Sequence, residues 1–570
     1  MLPFWLVPIC PLLVAVALLL GVGRIRRGIA PALAIAALVV SLVLAAGALV
    51  TASGATGSAD AMVAVPWLTV GGRTWALALA RDPLSALAAT LVAGVALIVF
   101  VYAATYMAAD HEQDRFFGLL CLFAGAMLVL VLAADLITLF IAWEVVGLCS
   151  YLLIGFWRER PGVPAAATKA FLTTRIGDAI MLLGIVGLTR AAGTGNIAAI
   201  LDGVQRGSLA PATLTPAALL LLAGALGKSA QVPFQGWLPD AMRGPTPVSA
   251  LLHSATMVAA GVFLIARLYP LFLAAGPILP LVAWIGVITA LLGGAAALVQ
   301  PDLKRTLAYS TISQLGFMFL ALGAGSLLAA MFLLVAQALY KALLFLAAGA
   351  VDHTVGGTDF ARMGGLARTM PGTFAASLIG AVALAGLPVT LAWPPKDAVL
   401  AAAWAAGGPL FAAALLASVL TGLYVARLVS LVFLGAARAA HGSHGDAPLG
   451  LRGPVLALAI LVPLGLLGNA GWLGSPLSRL LAAPAPDAVV ATVLGLTTAV
   501  VGLGLGLLAG RAWPGTVIWP PLVRIAPLLA GEFGLVGLYR AVPVLVLAVS
   551  RAVAAFDDTV FNPLGPQVAG

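Results

Sequence analysis

The sequence predicts an all-α polytopic membrane protein of about 14–16 transmembrane helices, built as two inverted repeats that each contain a broken helix. Three observations carry this. Of 570 residues, 62% are apolar and only 9% are charged, against about 45–50% and about 25% in soluble proteins. The apolar residues fall in runs of membrane length among aperiodic Gly and Pro, which transmembrane helices tolerate. Two of these runs are interrupted by prolines in corresponding places of the two halves.

The first run, near 3–22, opens without a basic residue and is followed by Arg24, Arg26 and Arg27. A secretory signal has the reverse order. The positive-inside rule then puts the amino terminus outside and the arginines in the cytoplasm. A second run follows near 30–51. Residues 58–82 are too polar to span and carry a hairpin around Gly71-Gly72. Spans are then expected near 83–106, 115–132, 135–156, 166–190, 214–231 and 247–269. The second half continues near 277–299, 305–322, 326–349, 373–393, 397–434, 453–472 and 486–510. Arg115 and Arg158-Glu159-Arg160 fall on the cytoplasmic side of this scheme. A last apolar stretch, 520–556, is punctuated by Arg524, Arg540 and Arg551 and reads as lying along the membrane surface. The chain thus divides into N-terminal helices (1–110), a first repeat (111–270), a second repeat (271–436) and C-terminal helices (437–570).

The formal charge of +9 is spread through short loops rather than clustered, so nucleic acid is not an expected partner. Cys10, Cys121 and Cys149 lie in apolar runs without a CxxC, and no dinucleotide fingerprint follows a strand. Gly502-Leu503-Gly504-Leu505-Gly506 sits within an apolar helix and reads as packing. His441, His444 and Asp446 share a polar loop without metal-ligand spacing, and Asp352 and His353 read as a helix end. No cofactor or metal is expected in this chain, and electron transfer would belong to another polypeptide.

The placement of the few charges carries the function. Of 29 basic residues only five are lysine: Lys169, Lys228, Lys304, Lys341 and Lys396. Lys228 and Lys341 lie in apolar runs. Lys228 precedes Pro233, Pro239, Pro245 and Pro247, whereas Lys396 follows Pro388, Pro394 and Pro395. Arginine stays protonated, but a buried lysine can exchange a proton. A charge at the bilayer centre costs about 2.5–3.5 kcal/mol even on insertion scales. Of the four glutamates, Glu112, Glu144, Glu159 and Glu532, only Glu144 lies inside an apolar stretch. His253 adds a group that titrates near neutrality. A packed histidine or a fixed Glu–Lys pair accounts for either residue singly, whereas several separated ionisable groups together point to a proton relay. Arg175 and Asp178, three apart on one helix, can pair on one face, as structure first and as support of the relay second, and Glu144 and Lys228 are expected to form a switchable pair.

Four stretches carry a family resemblance. They are Ala142-Trp143-Glu144 through Cys149-Ser150-Tyr151 to Phe156; Gly227-Lys228-Ser229-Ala230-Gln231 through Trp237-Leu238-Pro239-Asp240 to His253; Asp302-Leu303-Lys304-Arg305 through Gln314; and Lys341 to Leu346. They resemble the antiporter-like membrane subunits of complex I (NADH-quinone oxidoreductase subunit L-like), a family shared with multisubunit sodium/proton antiporters and some energy-converting hydrogenases. The resemblance implies a proton-translocating subunit of a complex I-like assembly in a bacterial-type inner membrane. Its partners would be other membrane and peripheral subunits, with flavin, iron–sulfur clusters and quinone held there. It makes Glu144 the interior glutamate, Lys228 the lysine of the first broken helix, and His253 the histidine that follows. Lys341 becomes the central relay lysine and Lys396 the lysine of the second break, facing the outer half-channel. Three features depart from the family pattern. Leu333 and Gln337 stand where histidines are usual, and Gln cannot carry a proton at neutral pH. Trp393-Pro394-Pro395 precedes Lys396, and the stretch after 556 is shorter than the family's lateral helix and final span. The alternatives are a cation/proton antiporter subunit without redox coupling, a hydrogenase membrane subunit, or a mainly structural subunit with a relay weakened at Gln337.

Overall fold

A computed structural model describes residues 3–23, 25, 28–52, 61–70, 73–438, 445–464 and 489–561. The long apolar runs fold as helices, because only internally bonded backbone is stable in lipid. In order these are α1 (Leu6–Leu20), α2 (Ile29–Ala52), α3 (Pro83–Tyr106), α4 (Gln113–Leu132), α5 (Leu136–Ile154) and α6 (Val163–Ala192). Next come α7 (Ile197–Gln205), α8 (Pro211–Lys228), α9 (Thr246–His253), α10 (Ala260–Arg267) and α11 (Tyr269–Ala274). The second half holds α12 (Ile278–Ala297), α13 (Leu303–Gly323), α14 (Leu327–Val355), α15 (Leu366–Thr369), α16 (Pro371–Ala385), α17 (Trp393–Ala406) and α18 (Gly408–Phe433). It is followed by α19 (Leu449–Leu461), α20 (Val489–Ala512), α21 (Ala526–Ala530) and α22 (Leu535–Phe556). Among the described residues, thirteen helices are long and apolar enough to cross a membrane, and three further apolar helices are shorter.

The hairpin expected around Gly71-Gly72 is the antiparallel pair β1 (Ala61–Val70) and β2 (Arg73–Arg81). Asp82, Asp135 and Asp302 stand just before apolar runs and cap them. Their carboxylates accept from the N–H of Ser85, of Ile137 and Thr138, and of Arg305. Three expected spans differ, the one near 373–393 ending as helix at Ala385. The single run 397–434 is two helices, α17 and α18, divided at Gly407 with φ of 134°, a conformation that favours glycine. The run 453–472 ends as helix at Leu461; residues 465–472, like Arg24, Arg26, Arg27, His441 and His444, lie outside the described residues.

The bundle has two distinct ends. At one, Arg267 ion-pairs with Asp82, and Ala134 N–H donates to Ala78 O of the hairpin at 2.9 Å. At the other gather the basic loops. Lys169 and Arg305 both hold Asp240 (2.6 and 2.9 Å), Lys304 Nζ donates to Gly244 O (3.0 Å), and Arg243 donates to Pro161 O (3.2 Å). Burial pushes the Asp240 carboxyl up, but the hydrogen bonds and charges of Lys169 and Arg305 outweigh it and hold it below its ordinary value.

Small residues let helices approach closely. A Cβ on Gly316 of α13 would lie 2.5 Å from Gly286 O of α12. Gly506 packs α20 on Ala426 of α18 in the same way, as expected of that glycine-rich stretch. Arg427 of α18, fully buried, donates to the backbone oxygens of Ala297, Gln300 and Val517 and ties three segments together.

Candidate functional site

Trp143, Glu144 and Gly147 of α5 face Arg175 and Asp178 of α6 and Lys228, the last residue of α8. Lys228 Nζ lies 3.2 Å from Asp178 Oδ2, with both side chains at most 1% exposed. Trp143 Nε1 donates to the other Asp178 oxygen at 2.6 Å, and the ammonium stands 5.8 Å from the Trp143 ring centre. Gly147 provides the room: a Cβ there would meet Lys228 Nζ at 2.5 Å. Glu144 pairs with Arg175, whose guanidinium also covers the Phe171 ring.

This corrects the pairing read from spacing. Arg175 and Asp178 do not pair with each other, and the ion-pair partner of Lys228 is Asp178, not Glu144. The long arginine reaches outward and remains 39% exposed; the short aspartate points inward to the buried lysine. Helical spacing shows that two groups share a face, not which neighbour each meets.

The second group surrounds the end of α9. There the backbone leaves helical geometry at Ser254 and Thr256 before α10 resumes. His253 sits at this break, fully buried, with neither ring nitrogen hydrogen-bonded among the described residues. Its ring lies 4.6 Å from that of Phe345, one turn beyond Lys341 on α14. Ser229, next to Lys228, donates from its hydroxyl to Val258 O just past the same break. Lys228 and His253 are thereby tied to neighbouring turns.

Lys341 Nζ donates to Ser310 Oγ of α13 at 2.5 Å and is fully buried. Gln337, one turn earlier, is buried, and its side-chain oxygen accepts no hydrogen bond among the described residues. Lys341 lies close enough to His253, and Lys396 to Lys341, for their charges to interact. Lys396 belongs to the second break, where α16 ends at Gly386 (φ 77°) and Val389 (φ 78°) turns the chain into α17. Its Nζ donates to Leu384 O (3.2 Å) and Ala385 O (3.0 Å), the last carbonyls of α16. The structure thus brings together Glu144, Arg175, Asp178 and Lys228, and separately His253, Lys341 and Lys396, with Gln337 beside the second group.

Sequence reasoning missed Trp143, Gly147 and Ser310 as neighbours of these lysines. It also missed Glu532, read as outside the apolar stretches. Glu532 is only 1% exposed, and its scarcity as one of four glutamates was the available signal. Asp446 caps a helix: its carboxylate accepts from Gly372 and Thr373 at the start of α16. Ionisable side chains gathered in two groups, most of them fully buried, are of the kind that can accept and release protons.

Residues 133–421 match the profile of the NADH:quinone oxidoreductase/Mrp antiporter transmembrane family. Residues 67–117 match that of the NADH-ubiquinone oxidoreductase (complex I) chain 5 N-terminus. F(420)H(2) dehydrogenase subunit L of Methanosarcina mazei is 40% identical over 486 residues, covering 78% of this chain and 70% of that protein. NADH-quinone oxidoreductase subunit L of Pseudomonas aeruginosa is 46% identical over 400 residues, 68% of this chain and 64% of the relative. Among solved structures, a chain of the Mrp complex from Dietzia superposes with a TM-score of 0.76 at 30% identity. The match covers 97% of this chain but 63% of that one.

Proposed function

The chain belongs to the NADH:quinone oxidoreductase/Mrp antiporter family of membrane proteins, and on that premise we propose that it is a proton-translocating membrane subunit of a respiratory, complex I-like quinone oxidoreductase. Quinone reduction takes place in other subunits, which hold the flavin and iron–sulfur clusters. This subunit is a non-redox translocase in a bacterial-type inner membrane, with its amino terminus outside and its basic loops in the cytoplasm.

The observation that carries the reading is Lys341, wholly buried and hydrogen-bonded to a neutral hydroxyl. A lysine at such a site is costly unless its proton is exchanged. In this reading Asp178 holds Lys228 and Arg175 holds Glu144. Protonation of Glu144 releases Arg175, which stands one turn from Asp178 and competes for it. Lys228 then gives up its proton towards His253; Lys341 takes it on and passes it to Lys396, at the half-path to the outside. Gln337 orients water beside Lys341 without carrying charge.

The test is proton pumping by the assembled complex in membrane vesicles. Lys228→Ala or Glu144→Gln abolishes or strongly lowers pumping; unchanged pumping with normal assembly refutes the assignment. A second reading, cation/proton antiport without redox coupling, is favoured by the likeness to the Dietzia Mrp chain. Sodium-dependent proton uptake by a preparation lacking flavin and iron–sulfur subunits decides for it.

A further inference from the structure

Glu532 lies on the short link between α21 and α22, and its carboxylate is buried although α22 itself has no buried residue. Tyr309 OH donates to Glu532 Oε1 at 2.7 Å, and Gln235 Nε2 donates to Glu532 Oε2 at 2.8 Å. Among the described residues no basic group is within ion-pair distance of it. Its own backbone and that of Phe533 are left-handed, with φ of 54° and 57°. For residues with a Cβ this is strained and persists only where surroundings impose it. The Phe533 side chain is half-exposed, so the carboxylate is what holds the turn.

A second contact reaches the same place. Tyr539, in the first turns of α22, donates to Pro233 O at 2.5 Å. Its ring lies over Gly236, where a Cβ would come within 2.8 Å of it. Gln235, Gly236 and Trp237 form one 3-10 turn. Trp237 Nε1 donates to Gly227 O at 3.1 Å, the carbonyl next to Lys228 at the end of α8. The chain of contacts therefore runs Glu532, Gln235, Trp237, Gly227, Lys228.

We infer that Glu532 is a positioning residue for proton transfer: through Gln235 and Trp237 it fixes the end of the first half-helix and hence the place of the Lys228 ammonium. The inference rests on the relay reading above. Among the described residues this buried carboxylate is met by two neutral donors, at the start of a helix that has no buried residue of its own. Tyr309 of α13 and Tyr539 of α22 are the titratable groups that face it, with Arg305 one turn from Tyr309.

The experiment compares Glu532→Ala, Glu532→Gln and Tyr309→Phe in assembled complex in vesicles. It reads protons pumped per electron transferred and the pH of half-maximal pumping, neither of which follows the amount of complex. Glu532→Ala is expected to lower pumping per electron roughly ten- to a hundredfold, the scale on which misplacing a reacting group acts, and to move the pH midpoint. Glu532→Gln, which keeps one acceptor oxygen, and Tyr309→Phe move both in the same direction by less. An unchanged ratio and midpoint in the three variants overturns the inference, as does a fall in complex content alone. Should Glu532→Ala fail to assemble, the two milder variants decide by the same criteria. Lys228→Ala is run alongside: wild-type pumping in it removes the relay reading, whereas lost pumping in it with normal Glu532 variants removes only this inference.

Discussion

Replacing Asp178 by Asn tests the pairing seen at the first break. Asp178 and Lys228 are 3.2 Å apart and essentially unexposed. At an effective dielectric constant of about 20, unit charges at that distance attract by about 5 kcal/mol. Burying both charges costs several kcal/mol, so the intact pair contributes little net stability. Removing one partner differs, because it strands the other charge and costs about 3–5 kcal/mol. The Asn amide oxygen still accepts from Trp143 Nε1, which holds the native oxygen at 2.6 Å, so D178N isolates the charge. K228M strands Asp178 at a similar cost. The double variant D178N/K228M buries no charge at this pair and is expected near wild-type stability. The cycle therefore yields a coupling of about 6–10 kcal/mol, the sum of the two single costs, well beyond the 0.3–0.5 kcal/mol scatter of independent sites. Thermal unfolding of the purified subunit in detergent measures it, and vesicle pumping is read on assembled complex carrying the same substitutions. The double variant is expected to regain stability but not pumping. Additive single effects, or a stronger coupling of K228M to E144Q than to D178N, refute the crossed pairing.

Two further outcomes follow from the geometry. Gly147→Ala places a methyl group where Lys228 Nζ now stands, 2.5 Å from the new Cβ; pumping per electron falls while the complex still assembles, since only a flexible side-chain tip must shift. Asp240, its carboxyl held low by Lys169 and Arg305 against the effect of burial, contributes stability that is present above the unfolded carboxylate value of about 3.9 and lost as pH falls through the lower folded value. Asp240→Asn therefore melts earlier than wild type at pH 7 and loses less on acidification, read from melting temperatures between pH 7 and 3.

The spans were legible because lipid leaves the backbone few choices: an apolar run of membrane length becomes a helix, and aspartates such as Asp135 and Asp302 mark where one starts. The proposed relay lysines were legible by scarcity, since Lys228, Lys341 and Lys396 are most of the lysines in a chain that otherwise uses arginine. What each of them meets was not legible. That depends on the rotation of α5 against α6 by a few tens of degrees, which two hydrophobic helices do not encode in spacing. Ser310 reaches Lys341 across 31 residues, and Glu532 meets Gln235 across 297. Contacts of that range are set by how the bundle closes. Local pattern around Gly531-Glu532-Phe533-Gly534 says nothing of the distant side chains that the carboxylate meets.

The two broken helices show why lysine rather than arginine stands at each. In sequence they look unlike, because Lys228 comes before its prolines and Lys396 after its own. In space they converge. Lys228 ends α8, and Lys396, although on α17, turns back to donate to the last two carbonyls of α16. Lys228 ends its half-helix with its ammonium at Asp178, whereas the Lys396 ammonium faces the carboxyl end of an incoming half-helix, where unpaired carbonyls carry a partial negative charge. Each also lies against a glycine, Gly147 in the first case and Gly386 in the second. The carbonyls that hold Lys396 stabilise a cation less completely than a full counter-charge does, so its proton can leave without breaking an ion pair, whereas loss of the Lys228 proton leaves Asp178 behind. Arginine would not release a proton at all, and its wider planar head would not fit the space these glycines leave. The prolines can sit on either side of the lysine because the proposed chemistry needs only a broken helix that leaves room for a slender, titratable ammonium.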